Sequence, residues 1–572
     1  MGRALESIDA DGHTPADAES STVQQIMTER PEPREHPPTF EVLDESGTGL
    51  LSGDSLLSER ERRLVIGAAN FHALASPGHT FRFTILRGPE GSLPSLTDRN
   101  VAGIEWQPGR DVVGSLVFRS LVHTTATTSE LAGLVDLTID LGGPGEATNA
   151  YYQLPGLVGK ARRFVRFTIP VQFDVFRQYR TDMVEKQYRS REIPRQGGVL
   201  LNRGAAALER GRTPAILFGL HWLELGGAER WALETVQMAK DLGFVPIVIA
   251  DRPSTHPWIT RPELDDAVIV PLTQPVLRER DAAFLNGILS SYDVRGVHVH
   301  HCTWLYERLP WIKSVHPEIP TVDSLHILEW RTGGFVDVSV RMSSVIDVHH
   351  VISPQLRDYL IGRQNIAAEK VSLATLARLT TQETVPETTK RTRSGPFTVA
   401  YVGRFAQQKR PYLFLKLAAA FKSAPDVRFI MHGEGELIEE VRGLRNKLGL
   451  SKKVELRGAD QPVSRTLAET DALVITSENE GLTLTTFEAT TAGIPVISTD
   501  VGSQASLVAN ELLCPRHTYP FMRQAAQRIR TMIASPEQGQ KWLDEQKTKA
   551  TAFAGLLDAR QWTRDLYQGW LP

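Results

Sequence analysis

Apolar and polar positions change rhythm twice along this chain, and each change marks a different kind of structure. Residues 1–60 have little apolar periodicity. A stretch such as "ERPEPREHPPTFE" is too polar to offset its ordering entropy, which predicts a mostly disordered N-terminal segment. Over 61–200 the pattern becomes short runs: "HTFRFTIL", "VVGSLVFRSLV", "GLVDLTIDLG" and "RRFVRFTIPVQFDVF". Their β-branched and aromatic residues, separated by Gly, Pro and Asp turns, predict a β-rich accessory domain of sandwich type. It closes in a charged helix or linker, "RQYRTDMVEKQYRSREIPRQ".

From 201 the rhythm is strand alternating with amphipathic helix. "PAILFGL" is followed by the loop "HWLELGGAER", a helix with Ala228, Trp231, Ala232, Val236, Ala239 and Leu242 at helical spacing, and the run "FVPIVIA". That is a βαβ unit. "VRGVHVHHC", "PTVDSLHIL" and "VIDVHHVIS" add strands up to about 380. After the polar stretch "TTQETVPETTKRTRSGP", a second series runs over 395–552 through "FTVAYVG", "VRFIMHG", "KVELRG", "ALVITS" and "IPVIST". The predicted fold class is α/β: two doubly wound Rossmann-like domains facing across a cleft, 201–380 and 395–552, preceded by the β-rich domain. Residues 553–572 carry Trp562, Leu566 and Trp570 at the spacing of a final helix.

Composition narrows the partners. With 572 residues, about three domains of ~100–200 residues are expected. Lys and Arg number 64 against 67 Asp and Glu, a net charge of −3, which argues against a general nucleic-acid binder. Cys302 and Cys514 are the two cysteines, without metal-ligand spacing, which fits a reducing cytoplasm. The opening residues lack a signal-peptide core, and no run reaches the ~20 apolar residues of a spanning helix. Membrane contact is then at most peripheral, on the inner face. In "GKARRFVRFTIP", Lys160, Arg162, Arg163 and Arg166 alternate with apolar residues, readable either as a contact for anionic lipid or as the solvated face of a strand pair.

Candidate chemistry clusters at strand ends. Arg404 and Lys409 follow "VAYVG" in "GRFAQQKRP", cations suited to a phosphate or diphosphate, or a solvated charge pair. In "MHGEGEL", Gly433 and Gly435 permit close backbone approach. In "SENEGLTLTTFEATTAGIPVIST", Glu480 stands at a strand end and Glu488 in the early turns of a helix, with a backbone turn between them. Carboxylates accept hydrogen bonds from paired hydroxyls, and a helix N-terminus favours phosphate, so together these describe a nucleotide-sugar site. His298, His300 and His301 in "HVHHC" lack an evident third ligand, so no metal site is predicted.

Taken together, these motifs resemble retaining glycosyltransferases of the GT-B fold, family 4. The likeness covers roughly 212–572 and is strongest in the C-terminal unit. "GRFAQQK" matches the family's Gly-Arg-x-x-x-x-Lys segment, "GEGEL" its Gly-x-Gly turn, and "ENEGLTLTTFE" its Glu, seven residues, Glu motif. The resemblance implies that Arg404 and Lys409 bind the donor diphosphate, Glu488 the ribose and Glu480 the sugar. Gly403, Gly433, Gly435 and the main chain of Gly481, Leu482 and Thr483 would line the donor, with Gly226, Gly227 and His326 facing it from the other domain. It also implies a final helix packing back on the first domain and retention of configuration; with cations to stabilise the leaving group and no acidic Asp-x-Asp cluster in the right context, no metal and no cofactor are expected. The acceptor would be a glycan, a lipid-linked sugar or a protein. Where the family carries an Asn-Gly-Val-Asp turn, this chain has "SLATLARLTT". A nucleotide-sugar epimerase or a non-catalytic binding protein is the alternative function. For residues 61–200, holding the acceptor and mediating interaction or oligomerisation both stand.

Overall fold

A computed structural model describes residues 37–46, 50–52, 56–97, 110–123, 133–143, 164–165, 168–189, 192–195, 197–198, 201, 211–224, 226–272, 278–329, 334–377, 395–458 and 460–571. Most of the segment predicted to be disordered therefore lies outside the described residues, as does most of the polar stretch at 378–394.

Phe40–Ser46 (β1), Thr80–Arg87 (β2), Asp111–Ser120 (β3) and Leu134–Asp140 (β4) form one mixed sheet in the order β1-β3-β2-β4. β3 is antiparallel to both neighbours, whereas β2 and β4 are parallel. The sheet is covered by the helix Glu59–Ala75, whose Leu64, Val65 and Ala68 share a core with Phe81, Phe83 and Phe118. Two expectations are corrected here. Among the described residues the layer over the sheet is this helix and not a second sheet, so the expected sandwich is not what they form. β1 is ordered inside the stretch expected to be disordered, because Phe40 packs its ring 5.2 Å from Phe118. The helix announces itself by a capping box: Ser58 Oγ accepts from Glu61 N–H, and the Glu61 carboxylate accepts from Ser58 N–H.

Pro214–Leu220 (β5), Val245–Ala250 (β6), Val268–Pro271 (β7), Asp293–His300 (β8), Thr321–Leu325 (β9), Val348–Val351 (β10) and Val371–Leu373 (β11) form a parallel sheet in the order β11-β10-β9-β8-β5-β6-β7. Every position of β5 and β6 is buried, as strands covered on both faces require. The short strands β7 and β11 were not anticipated from the sequence. Asn70 of the helix Glu59–Ala75 donates to Ile269 O at 3.3 Å, so that helix also covers the β7 edge.

Phe397–Val402 (β12), Val427–His432 (β13), Val454–Arg457 (β14), Ala472–Ile475 (β15), Val496–Thr499 (β16) and Leu513–Cys514 (β17) form a second parallel sheet, β14-β13-β12-β15-β16-β17. Strand order reverses between β5 and β8 in the first sheet and between β12 and β15 in the second. Such reversals open a crevice at the strand carboxyl ends.

Two chain segments run side by side where the units join. Thr375 N–H donates to Leu557 O at 2.8 Å, and Ala559 N–H donates back to Thr375 O at 3.1 Å. The helix Ala559–Gln568 then lies on the first unit. Tyr567 Oη is 2.6 Å from His298 Nδ1, Trp562 stacks on His350 at 4.8 Å, and Arg560 pairs with Glu234 at 2.7 Å.

The run "RRFVRFTIPVQFDVF", expected as a strand, is corrected as well: its described C-terminal part belongs to the helix Pro170–Arg189. Pro170 opens the helix, where a missing N–H costs nothing. Val171, Asp174, Gln178 and Thr181, three or four apart, form its buried face. That helix packs on the C-terminal unit, against the helices Pro411–Ala419 and Thr518–Ala534.

Candidate functional site

Strands β12 and β15 are neighbours, so the loops that leave their carboxyl ends meet at the reversal point of the second sheet. Glu478 N–H donates to Gln408 O at 2.8 Å, and Gln408 Nε2 donates to Asn479 O at 2.8 Å, fastening one loop to the other. This fastening brings two of the sequence-predicted residues together. Lys409 Nζ donates to Glu480 Oε1 at 2.6 Å, and Ser477 Oγ donates to the same oxygen at 2.5 Å. Glu480 is buried while Lys409 stays partly exposed, so the ammonium sits at the mouth and the carboxylate beneath it.

The β13 loop closes the other side. Gly433 has φ +151 and Gly435 φ +142, and a Cβ on Gly433 would stand 2.1 Å from Gly403 O. No other residue satisfies that backbone and that spacing at once. Phe405 N–H donates to Glu434 O, and Leu437 N–H donates to Phe405 O at 2.9 Å, so the Gly403 and Gly433 loops are one bonded pair. Arg404 projects from this pair, exposed.

The turn after Glu480 faces the first unit. A Cβ on Gly481 would fall 1.9 Å from His326 O, at the end of β9, so only a glycine lets the two units approach here. Leu482 packs against the cores of both units. Thr483 caps the helix Leu484–Thr491 through its backbone conformation, but its side chain makes no capping bond. Glu488 is half-buried on that helix. Three buried polar atoms around this contact lack a hydrogen-bond partner: Thr483 Oγ1, Ser503 Oγ and His326 Nε2. Ser503 is tied to the turn by its N–H, which donates to Gly481 O at 3.0 Å. These three atoms are the polar groups at this turn that have bonding capacity left over.

On the first unit, Gly226 caps the helix Gly227–Asp241 in extended conformation, and Gly227 borders open space. Sequence reasoning passed over the side chains beside them. Glu229 accepts from Trp222 Nε1 at 2.7 Å and lies 3.0 Å from His221 Nε2. Burial opposes the Glu229 charge, yet its hydrogen bonds to His221 and neighbours hold the carboxyl down to about 2. His221 lies 5.7 Å from the His301 ring, and His301 stacks on Phe335 at 4.5 Å and meets His326 edge-on at 5.1 Å. His326 is kept neutral, well below its ordinary pKa, by burial and then by the neighbouring histidines. The signal in the sequence was the loop "HWLELGGAER", where His221 and Glu229 flank the glycines. His298 is consumed by Tyr567 and Ser324, and His300 Nε2 by Thr235, so both serve the core.

The same loops are gripped from outside by the helix Pro170–Arg189. Arg410, next to Lys409, is fully buried with φ +49. It donates to Thr476 O at 2.6 Å, Ser477 O at 3.2 Å and Arg516 O at 2.9 Å, and pairs with Asp174 at 3.3 Å. Asp174 also accepts from Tyr412 Oη at 2.6 Å and Thr518 Oγ1 at 2.7 Å. One turn on, Arg177 pairs with Glu478. No local sequence signal foretold this brace, because its partners lie far apart along the chain.

Two facing parallel α/β sheets with a strand-end crevice between them are the GT-B arrangement. Residues 387–549 match the family described as Glycosyl transferases group 1, and that part of the chain is a domain of this kind. A 118-residue stretch is 31% identical to the Vi polysaccharide biosynthesis protein VipC/TviE of Salmonella typhi, covering 20% of this chain and 20% of that protein. Another comparison, over 119 residues, gives 30% identity to the UDP-Gal:alpha-D-GlcNAc-diphosphoundecaprenol alpha-1,3-galactosyltransferase of Escherichia coli, covering 20% of this chain and 31% of that one. Only a minor part of each curated relative is thus matched. Among solved structures, Anabaena HepE in complex with UDP is similar with a TM-score of 0.48 and 18% identity, over 62% of this chain and 99% of that chain.

Proposed function

We propose that this protein is a retaining, metal-independent glycosyltransferase that moves a sugar from a nucleoside-diphosphate sugar to a glycan, lipid-linked or protein acceptor. The observation that carries the reading is the Lys409–Glu480 contact at the β12/β15 reversal point. A cation for a diphosphate and a carboxylate for sugar hydroxyls stand side by side where such folds bind ligands.

In this reading Arg404 and Lys409 take the two phosphates, and the N–H groups of Gly481, Leu482 and Thr483, with the start of the helix Leu484–Thr491, line the donor. Glu488 holds the ribose, and Glu480 exchanges its Lys409 contact for sugar hydroxyls. Gly403, Gly433 and Gly435 keep the floor of the site free of side chains. Gly226, Gly227 and His326 border it from the first unit, where the acceptor enters. As the bond between the anomeric carbon and the phosphate oxygen breaks, the acceptor oxygen bonds to the same face of that carbon. Its proton passes to the departing phosphate oxygen. Fixed cations stabilise the charge that develops there, and losing one such group typically costs about 3 kcal/mol in the transition state.

The name of the Escherichia coli relative makes uridine the first nucleoside to test. The test is thermal stability of the purified protein against a panel of nucleoside diphosphates and their sugars, with Lys409→Ala alongside. A selective shift for one base, lost in the variant, supports the site; saturation at about 100 times the dissociation constant should stabilise by about 2.7 kcal/mol. No shift with any nucleotide overturns the reading. Activity abolished by EDTA and restored by manganese would overturn the metal-free part alone.

A further inference from the structure

We infer that the outer face of the helix Pro170–Arg189 docks this protein on a bilayer containing anionic phospholipid. This goes beyond the transferase reading and does not depend on it. The inner face is committed to the C-terminal unit through Asp174, Gln178 and Thr181, so the orientation of the helix is fixed by the fold. What remains outward is apolar. Phe176 is 60% exposed, Tyr179 64% and Met183 54%, with Ile169 at 44% and Val165 at 38%. Ile169 N–H donates to Val165 O at 2.9 Å, and Phe173 N–H to Ile169 O at 3.0 Å, which ties these two residues to the first turn of the helix. At about 100° per residue Phe176, Tyr179 and Met183 form one stripe on this helix, with the exposed Arg180 on one border and Lys186 on the other, and Val165 and Ile169 lie just before its start.

Charge decides what the stripe meets. Residues 160–189 hold eight Lys and Arg against three Asp and Glu, in a chain whose net charge is −3. Two of those three acids are turned inward, Asp174 to Arg410 and Asp182 to Arg516 and His517, as is one of the cations, Arg177 to Glu478. Among the described residues the outward side thus presents Phe176, Tyr179 and Met183 bordered by Arg180 and Lys186, the arrangement of an interfacial helix. A second copy of the chain would set two basic borders against each other, which like-charge repulsion disfavours. Among the described residues no helix is long and apolar enough to cross a membrane, so this contact lies in the plane of the surface.

The test is co-sedimentation of the full chain with vesicles of phosphatidylcholine alone and of phosphatidylcholine mixed with phosphatidylglycerol. Binding to the mixed vesicles only, weakened by salt, is expected. Arg180→Gln with Lys186→Gln should lower partitioning by about fivefold per charge removed. Phe176→Ser with Met183→Ser should abolish it while the melting temperature stays unchanged, since both side chains are exposed. Absence of binding to the mixed vesicles, equal binding to neutral ones, or retention by the serine variant would overturn the inference. So would a concentration-dependent dimer that the serine variant disperses, which would assign the stripe to a second copy.

Discussion

Asp174→Ala tests whether a residue far outside the second sheet holds the candidate site in shape. The carboxylate is fully buried and serves Arg410, Tyr412 and Thr518 at 3.3, 2.6 and 2.7 Å. Removing it leaves the Arg410 guanidinium buried without its counter-charge, a loss that typically costs 3–5 kcal/mol. Arg410 keeps its three backbone carbonyl acceptors, so the low end, about 3 kcal/mol, is expected. For a unit of this size that corresponds to a fall in melting temperature of about 6–12 °C. The second consequence is local. Thr476 Oγ1 donates to both Lys409 O and Arg410 O, so loosening Arg410 displaces Lys409. Nucleoside diphosphate affinity should fall with stability. Differential scanning calorimetry of Asp174→Ala, Arg410→Ala and the double variant, with nucleotide titrations of each, completes a cycle. A loss below about 1 kcal/mol, or strictly additive losses in the double variant, would refute the brace.

Acid should destabilise the first unit. Burial pushes His256 and His301 down to about 3, His350 to about 4, and His298, His300 and His326 well below their ordinary value. A depressed folded pKa gives stability that is present above the unfolded value near 6.5 and lost as pH falls, approaching about 1.4 kcal/mol per pH unit for each group. Asp251, raised by burial to about 6, has the opposite sign: its stability is full below 3.8 and lost as pH rises through about 6, so it offsets one histidine. A melting temperature that is flat from pH 7 to 5 would contradict this. Gly481→Ala should spare the fold of each unit but drive Gly481 away from His326 O, weakening sugar-nucleotide binding more than it lowers the melting temperature; unchanged binding would refute the need for a glycine there. Tyr567→Phe strands His298 Nδ1 in the core and should cost about 1–3 kcal/mol, read by denaturation of the otherwise intact protein.

The two parallel sheets were legible because strands buried on both faces are continuous apolar runs, and "PAILFGL" or "VAYV" has no other comfortable state. The site motifs were legible because the loops after β12, β13 and β15 carry glycines and charges directly after such runs. The first turns of the helix Pro170–Arg189, up to Phe176, were misread for a definable reason, whereas its continuation from Arg177 was expected as a charged helix or linker. Ile169, Val171, Phe173 and Val175 alternate at the period of a strand, while the helical face it buries is partly polar: Asp174, Gln178 and Thr181. Its apolar pattern therefore points at the wrong side. The strands β7 and β11 are too short to show a period, and the cluster of His221, Glu229, His301 and His326 joins the ends of three strands, β5, β8 and β9, with the helix Gly227–Asp241, a meeting that no local spacing encodes.

The return of the helix Ala559–Gln568 to the first sheet has a consequence for biosynthesis. Tyr567 closes over His298 on β8, and Trp570 lies where a Cβ on Gly296 would come within 2.3 Å of its ring. These groups leave the ribosome only after the whole C-terminal unit has been made. A nascent chain that has finished its first sheet must therefore wait with one flank of that sheet uncovered, and the order of translation, N-terminal domain first, is not the order in which the domains become complete.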